Sequence, residues 1–316
     1  MAGSFDAATR SLFAPSVTRV QANLLLLVIA LIWGSAFVAQ SQAMANVGPL
    51  LFTGVRFLIG AAVVAPLAWL EWRALQRLSK RPTPRDGKKI FGLGVLMVLG
   101  VAMQQIGIVT TTITNAGFLT ALYVPLVPVL GWLLFRHLPH WSVWPGALAC
   151  LVGAFMLSGA HSLQIGPGDL WVIGSALPWA FHVLMVGRVA DRMEAPFLVA
   201  SGQFLVCGVL ALAWALGFEP FSWASLQAAA WPIAYTGVVS VGIAFTAQVV
   251  AQRYANAADA AIILSAEMLF AALFGFWLMG DRLSGSGLLG CGLILASLLA
   301  VQLLPLVRRA RRVGTV

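Results

Sequence analysis

Long uninterrupted apolar runs dominate the pattern of hydrophobic and polar positions along this chain. Ten of them have about the length of 20 residues that a helix needs to cross a bilayer. A run such as Leu24–Ile32 does not alternate between apolar and polar positions, as the strands of a membrane barrel would. The pattern therefore predicts an all-α integral membrane protein with ten transmembrane helices. The predicted spans are residues 22–40, 48–70, 90–109, 115–136, 141–159, 168–189, 196–217, 230–252, 257–279 and 285–304.

Composition narrows the class of protein further. Of the 316 residues, 60% are hydrophobic and only 9% are charged, and the mean hydropathy is +0.93. Soluble domains carry about 25% charged residues, so this chain cannot cover a water-facing surface, and it is far too apolar to be disordered. Ten helices of about 20 residues leave about 116 residues for loops and tails, and we expect no soluble domain.

The basic residues lie almost entirely on one side of the predicted membrane. When the loops are assigned alternately to the two sides, one side receives 17 of the 19 Lys and Arg residues. Because positive loops stay in the cytoplasm, both termini are predicted to be cytoplasmic. The net charge of +9 then serves orientation rather than nucleic-acid binding, and the cluster Arg308–Arg312 is predicted to lie near anionic membrane lipid. The 17 residues are Arg10, Arg19, Arg73, Arg77, Lys80, Arg81, Arg85, Lys88, Lys89, Arg136, Arg188, Arg192, Arg253, Arg308, Arg309, Arg311 and Arg312.

Short matching pieces recur in the same order in the two halves of the chain. They are Ala30–Trp33 with Ala176–Trp179, Phe57-Leu58 with Phe204-Leu205, and Gly100–Ala102 with Gly242–Ala244. Each unit would hold five helices, an odd number, so the second unit crosses in the opposite direction. Such inverted repeats hold their substrate near the membrane midplane, in a central cavity between the units. The predicted division is a cytoplasmic tail 1–21, a first repeat 22–160, an inverted second repeat 168–304 and a basic cytoplasmic tail 305–316.

Small residues recur every four positions in the last span of each unit. Such ridges let helix backbones approach closely in lipid. We interpret both ridges as packing faces, either against each other or in a dimer, and the oligomeric state stays open. The ridges are Gly146, Cys150, Ala154 and Ser158 in the fifth span, and Gly292, Ala296 and Ala300 in the tenth.

Two ionisable side chains fall at membrane depth, where a charge costs about 2.5–3.5 kcal/mol even on insertion scales. Glu267 lies about 15 Å into the ninth span and Arg56 about 12 Å into the second, at 1.5 Å per residue. Glu267 is predicted to meet a substrate ammonium or a proton in the cavity. The alternative is structural: Glu267 forms a buried ion pair with Arg56, or binds a backbone donor.

Amide and imidazole groups within the spans are further candidates for the cavity. Gln104, Gln105 and Gln248 offer donors and acceptors to a zwitterionic ligand, or else they join helices by hydrogen bonds. His182 is either a proton relay or an imidazole held by a neighbouring carbonyl.

Aromatic side chains cluster near residues that distort helices. Trp33, Tyr123 and Trp179 are predicted to surround an apolar or aromatic ligand, although in a chain with 12 Trp and 18 Phe many aromatic residues are packed or face lipid. Proline and glycine free backbone carbonyls within a span. The predicted kink positions are Gly34, Pro125, Pro128 and Pro178.

Enzyme and metal chemistry have little support in the sequence. Cys150, Cys207 and Cys291 are scattered through apolar runs, where a thiol behaves as a small hydrophobe, and the His residues are dispersed, so neither a metal site nor a cofactor is predicted. No nucleotide loop, metalloprotease motif or nucleophile elbow is present.

Several of these residues together resemble a known family. Trp33-Gly34-Ser35, the prolines of the fourth span, Glu267 and the segment Gly280-Asp281-Arg282-Leu283 are similar to the ten-helix EamA-type transporters of the drug/metabolite transporter superfamily. Within it the chain resembles the YddG-type exporters of aromatic and other amino acids, which implies a bacterial inner-membrane location. Many relatives carry Gly-Glu where this chain has Gly280-Asp281.

The expected function is that of a secondary transporter, which exports small amphipathic metabolites, amino acids including aromatic ones, by alternating access. Proton-coupled and facilitated export both fit the few buried acids. The alternatives are a multidrug or other metabolite exporter of the same fold, and an intramembrane lipid-modifying enzyme, which would need catalytic polar residues clustered at one interface. A channel would show a repeated polar ring, and no such stripe is visible.

Overall fold

The computed structural model describes residues 17–111, 113–136, 138–158, 165–280, 282 and 284–313. Within these ranges every regular element is a helix, and we number the apolar helical segments α1 to α10. They are α1 Arg19–Met44, α2 Pro49–Arg77, α3 Pro84–Ile108, α4a Ile113–Thr120 with α4b Tyr123–Phe135, α5 Val143–Leu157, α6 Pro167–Met193, α7 Pro196–Phe218, α8 Ala230–Tyr235 continuing through Thr236–Phe245 and Thr246–Ala251, α9a Ala257–Leu264 with α9b Glu267–Phe274, and α10 Gly285–Val313.

The described residues support the expected membrane architecture. Nine helices are long and apolar enough to cross a membrane. The remaining apolar helix, α5, has only 15 residues, which is about 22 Å at 1.5 Å per residue. α10 continues as helix to Val313, so most of the segment expected as a C-terminal tail is helical. Residues 1–16 of the N-terminal tail, residues 314–316, Asp281 and Leu283 lie outside the described residues.

Local sequence explains where the helices begin. Thr18 caps α1 by accepting the Gln21 N–H, and the Gln21 side chain accepts the Thr18 N–H in return. Thr83 and Asp86 form the same reciprocal box at α3, which satisfies backbone donors that a helix start leaves free. Proline, whose missing N–H costs nothing in the first turn, begins four helices. They are α2 at Pro49, α3 at Pro84, α6 at Pro167 and α7 at Pro196.

Among the described helices, the antiparallel pair of α2 and α7 makes the most extensive contact. At one end, the Glu219 carboxylate accepts the Leu50 and Leu51 N–H groups of α2, both at 2.8 Å. At the other end, the Glu71 carboxylate accepts the Leu198 N–H of α7 at 2.7 Å. Each helix therefore supplies a carboxylate that caps the start of the other, as two equivalent helices of inverted units would.

Aromatic contacts agree with this pseudo-twofold relation. Phe57 of α2 and Phe204 of α7, which the sequence matches as equivalents, meet edge to face at 6.0 Å between ring centroids. A residue can contact its own equivalent only close to the symmetry axis. The axis therefore passes through the α2–α7 pair at mid-helix.

α5 and α10 pack against each other through glycine. A Cβ at Gly153 would lie 2.7 Å from the Gly290 carbonyl oxygen, and the Ser297 hydroxyl donates to the Gly146 carbonyl at 2.6 Å. This places the fifth-span ridge in a packing face. The expected ridge of the tenth span does not face α5, because Gly292 and Ala296 are exposed and Ala300 is only half-buried; its other expected role, as a packing face in a dimer, stays a prediction. Residues two apart point about 200° apart on a helix, so Gly290 and Gly292 face opposite ways.

The two ends of the bundle differ in charge. At one end α2, α4b, α6 and α8 finish, and we call it the basic end because four arginines lie there: Arg77, Arg136, Arg192 and Arg253. The opposite end carries the start of α2 at Pro49 and the short surface helix Trp223–Ala228.

Candidate functional site

A cavity lies where both five-helix units meet, and its walls come from α1, α2, α3, α4, α6, α8 and α9. Its volume is about 50 Å³, which is room for only a few water molecules at about 10–15 Å³ each. Ligand pockets usually measure about 300–1,000 Å³. The cavity is thus smaller than an ordinary ligand pocket.

Two interrupted helices converge on the cavity. α4 breaks at Ala121 and Leu122, because Pro125 has no N–H to donate to the Ala121 carbonyl and its ring crowds that carbonyl. α9 breaks at Ser265 and Ala266 without any proline. There the Ser265 hydroxyl donates to the Ile262 carbonyl at 2.6 Å, a back-bond that bends helices.

Each break places a cavity-lining side chain at the start of a half-helix. Tyr123 begins α4b and Glu267 begins α9b, and both line the cavity. The Tyr123 hydroxyl donates to the Ala261 carbonyl of α9a at 3.3 Å, so the two broken helices are in direct contact. The N-terminus of a half-helix carries partial positive charge, and such ends face substrate in transporters with inverted repeats.

One wall of the cavity is aromatic. The Phe245 ring lies between the two matched tryptophans, 4.4 Å from Trp33 and 6.0 Å from Trp179 between centroids. The rings of Trp179 and Phe245 are almost parallel, at 8°. The Trp33 indole N–H donates to the Ser240 carbonyl at 3.3 Å. This carbonyl belongs to the π-helical stretch Thr236–Phe245, a type of distortion that is frequent at functional sites.

The cavity also has polar lining residues. Arg56 Nη1 donates to Gln40 Oε1 at 3.0 Å, and its guanidinium lies 4.8 Å from the centre of the Phe52 ring. Gln104 Nε2 donates to the Thr120 hydroxyl at 2.8 Å. All four hydrogen-bonding side chains line the cavity.

The ion pair between Arg56 and Glu267, which was the structural alternative for Glu267, is not formed. Both side chains line the same cavity, but among the described residues no ion pair within 4 Å joins them. Gln40 binds the guanidinium instead. The cavity therefore presents a cation and an acid that do not neutralise each other directly.

Several buried polar atoms of the cavity wall have no hydrogen-bond partner in the described protein. They are Arg56 Nε, Trp179 Nε1 and Gln248 Oε1. Leaving such a group unsatisfied costs about 1–3 kcal/mol. The free donors and acceptor are therefore available to water or to a polar ligand.

Six of the eight residues predicted for the cavity line it. They are Trp33, Gln104, Tyr123, Trp179, Gln248 and Glu267. Gln105 and His182 do not, although both are fully buried. Neighbouring helix residues point about 100° apart, and in the observed rotation of α3 Gln104 faces the cavity while Gln105 does not. His182 Nε2 instead pairs with Gln203 Oε1 of α7 at 3.0 Å, behind Trp179, which does not favour the proton relay.

The four predicted kink positions behave differently. Pro125 accounts for the break in α4, and Pro128 lies three residues further, within α4b. Pro178 and Gly34 stand in helices that run without interruption, so neither breaks its helix. Gly34 serves close packing instead: a Cβ there would lie 2.8 Å from the backbone oxygen of Glu267.

Some cavity residues were not anticipated from the sequence. Phe37 and Gln40 follow Trp33 at the i+4 and i+7 positions of α1, so helical periodicity from Trp33 would have identified them. Ser240 and Phe245 carry no comparable signal, because both lie in the π-helical stretch of α8. Thr120 carries none either. Within the described residues, no group of three or more His, Cys, Asp or Glu side chains is placed to hold a metal ion.

Comparison with known proteins agrees with the two-unit architecture. A model of the EamA-like transporter family matches the chain twice, over residues 20–159 and 166–303. A protein of Archaeoglobus fulgidus described as an uncharacterized transporter is 30% identical over 268 residues, which are 85% of this chain and 81% of that protein. The uncharacterized transporter YwfM of Bacillus subtilis is 24% identical, over 82% of this chain and 86% of its own length.

A solved structure, described only as the crystal structure of a protein, has the same fold. Its TM-score is 0.74 at 23% identity, and the match covers 91% of this chain and 99% of the other.

Proposed function

This chain belongs to the EamA-like transporter family, and from that premise we propose that it exports small amphipathic metabolites, amino acids with aromatic side chains among them, by alternating access. The chain is a multi-pass membrane protein of a transporter family. The proposal adds the class of substrate, the direction of transport and the mechanism.

The observation that supports the substrate class is the unpaired presence of Arg56 and Glu267 in one cavity with an aromatic wall. A free amino acid carries a carboxylate and an ammonium, so it complements a cation and an acid that do not bind each other. The stacked Trp179–Phe245 wall suits an aromatic side chain, for which offset stacking contributes about 0.5–1.5 kcal/mol.

The contracted cavity and the broken helices support alternating access. A cavity of about 50 Å³ cannot hold an amino acid, so the units must separate on one side to admit it. Interrupted helices have fewer backbone hydrogen bonds at their breaks. The breaks at Ala121–Leu122 and Ser265–Ala266 are therefore where α4 and α9 would bend.

Charge supports an orientation with the basic end in the cytoplasm. Exposed basic residues such as Arg77, Arg136 and Arg192 lie at that end, and cytoplasmic loops carry such an excess. From this charge we propose that both termini are cytoplasmic, with anionic lipid around the basic end. The resemblance to YddG-type exporters is what supports a bacterial inner-membrane location.

The test is efflux from liposomes that contain the purified full-length chain. Vesicles are loaded with radiolabelled L-tryptophan, L-phenylalanine or L-threonine, and with tetraphenylphosphonium as a hydrophobic cation. We expect release of the aromatic amino acids. Release of the cation alone would support the multidrug alternative, and no release across the amino-acid panel would refute the substrate class.

A second experiment tests the role of Glu267 and proton coupling. Glu267→Gln should lower amino-acid efflux at least tenfold, because the amide cannot attract the ammonium. The matched control Glu194→Gln removes an exposed acid at the basic end and should leave efflux unchanged. Repeating both measurements with an imposed pH gradient distinguishes the mechanisms: acceleration by the gradient indicates proton coupling, and an unchanged rate indicates facilitated export.

A further inference from the structure

A second cavity opens at the basic end and is larger than the central one. Its volume is about 350 Å³, within the usual range of ligand pockets. α4b, α6 and α9a form its walls together with the segment that connects α8 to α9a. We call this cavity the vestibule.

The vestibule is built around a buried cation. The Arg253 side chain is only 9% exposed, and its Nε has no hydrogen-bond partner. Its nearest acid is Asp191, at 3.9 Å between Arg253 Nε and Asp191 Oδ1, and Asp191 is 67% exposed. That acid is largely solvated and screens Arg253 only weakly. Glu71 and Glu194 also act on Arg253 electrostatically, but among the described residues neither forms an ion pair with it within 4 Å. The buried Nε therefore still lacks a hydrogen-bond acceptor, and a ligand carboxylate in the vestibule would supply one.

The other polar and charged groups of the vestibule wall do not supply this acceptor. Asp259 is already paired with Arg19. Arg188 adds a second guanidinium at the mouth, 3.4 Å from the centre of the Phe135 ring. Gln252 next to Arg253 is 5% exposed, donates to the Val183 carbonyl at 2.9 Å and has an unpartnered Oε1. A cation thus lies beside a free acceptor.

The vestibule adjoins the central cavity. Val183 of α6 lines both cavities, so its side chain stands between them. A ligand in the vestibule is therefore one residue layer away from the cavity that holds Glu267.

We propose that the vestibule is a second binding site, which takes the carboxylate of a small metabolite on Arg253 before the metabolite passes Val183. The proposal rests on the proposed function for the identity of the transported compound. The binding of a carboxylate in the vestibule is tested separately from transport.

The first experiment measures the local charge with thiol reagents. Ala255→Cys places a thiol in the vestibule wall, in a background with Cys291→Ala, because Cys150 and Cys207 are buried. The sulfonate-bearing and the trimethylammonium-bearing methanethiosulfonates are compared by their labelling rates. When Arg253→Gln is introduced into this background, the ratio of the anionic to the cationic labelling rate should fall by about three- to tenfold. This magnitude follows from Coulomb's law for the loss of one positive charge at intermediate dielectric. Arg192→Gln, an exposed arginine at the same end, should leave the ratio unchanged.

The second experiment measures binding by protection of the same thiol. 3-Phenylpropionate, which has only the carboxylate, should slow labelling, and 2-phenylethylamine, which has only the amine, should not. Protection should be lost in Arg253→Gln and retained in Arg253→Lys. Equal protection by both compounds, no protection by either, or full protection in Arg253→Gln would overturn the proposal.

Transport then separates the two proposals. If efflux fails for every amino acid while 3-phenylpropionate still protects the thiol, the substrate class is wrong and the vestibule site stands. The control Arg192→Gln should raise the KM for efflux by less than twofold. If efflux proceeds and Arg253→Gln also raises the KM by less than twofold, the vestibule is not on the transport route and this inference fails.

Discussion

The reciprocal carboxylates of α2 and α7 yield a quantitative prediction, because glutamine is nearly isosteric with glutamate but has one acceptor fewer. Both oxygens of Glu219 accept backbone N–H groups. In Glu219→Gln the amide nitrogen faces one of these donors, so one charge-assisted bond is lost. In Glu71→Gln the remaining oxygen still accepts the Leu198 N–H, since the other oxygen of Glu71 has no partner in the wild type.

The two variants should therefore differ in cost. A hydrogen bond to a charged group contributes about 1.5–3 kcal/mol, and a negative charge at a helix N-terminus adds about 0.3–1 kcal/mol. We expect Glu219→Gln to lower the free energy of unfolding by about 2–3 kcal/mol. Glu71→Gln should lower it by less than about 1 kcal/mol, because the bond to the Leu198 N–H is kept and the lost attraction of Arg253 is offset by removal of a buried and half-satisfied carboxylate.

The measurement is equilibrium unfolding of the purified chain in mixed micelles, with the mole fraction of sodium dodecyl sulfate as the denaturant and helical circular dichroism as the signal. Glu194→Gln is the control for loss of an exposed acid. The reasoning is refuted if Glu71→Gln costs as much as Glu219→Gln, or if Glu219→Gln costs no more than the control.

Three further predictions concern the cavity, the packing of α1 and a surface ion pair. Arg56→Gln should raise the KM for amino-acid efflux at least tenfold, about 1.4 kcal/mol, and an unchanged KM would remove Arg56 from the site. Gly34→Ala should cost about 1–3 kcal/mol of unfolding free energy through overpacking, whereas Gly92→Ala, whose Cβ meets nothing within 4 Å, should not destabilise. The hydrogen bond and charge of Lys80 lower the pKa of Glu194, so this pair stabilises the fold above the unfolded-state pKa of about 4.3 and loses that effect as pH falls through the lower folded-state value. The free energy of unfolding of the wild type should therefore fall between pH 7 and pH 3, and Glu194→Gln should abolish this part of the fall. Because both side chains are 59% exposed, we expect that part to be below about 1 kcal/mol.

The amino-acid sequence by itself determined the helices, their order and the charge difference between the two ends of the bundle. A span needs about 20 apolar residues whatever it packs against, and a lysine or arginine must leave the hydrocarbon, so both features can be read along one dimension. The break in α4 was readable for the same reason, since Pro125 removes a donor wherever it stands. The matches between the halves also survive in sequence, and Phe57 and Phe204 meet as equivalents of inverted units should.

Only the tertiary structure decided which face of each helix looks inward. Lipid is as apolar as a packed leucine, so hydrophobic periodicity does not mark the inner face as it would in water. The rotation of α3 directs Gln104 rather than Gln105 into the cavity. Arg56 binds Gln40 rather than Glu267, and Gly290 rather than Gly292 packs against α5. The break at Ser265 and the buried Arg253 of the vestibule likewise arise from contacts between residues distant in sequence.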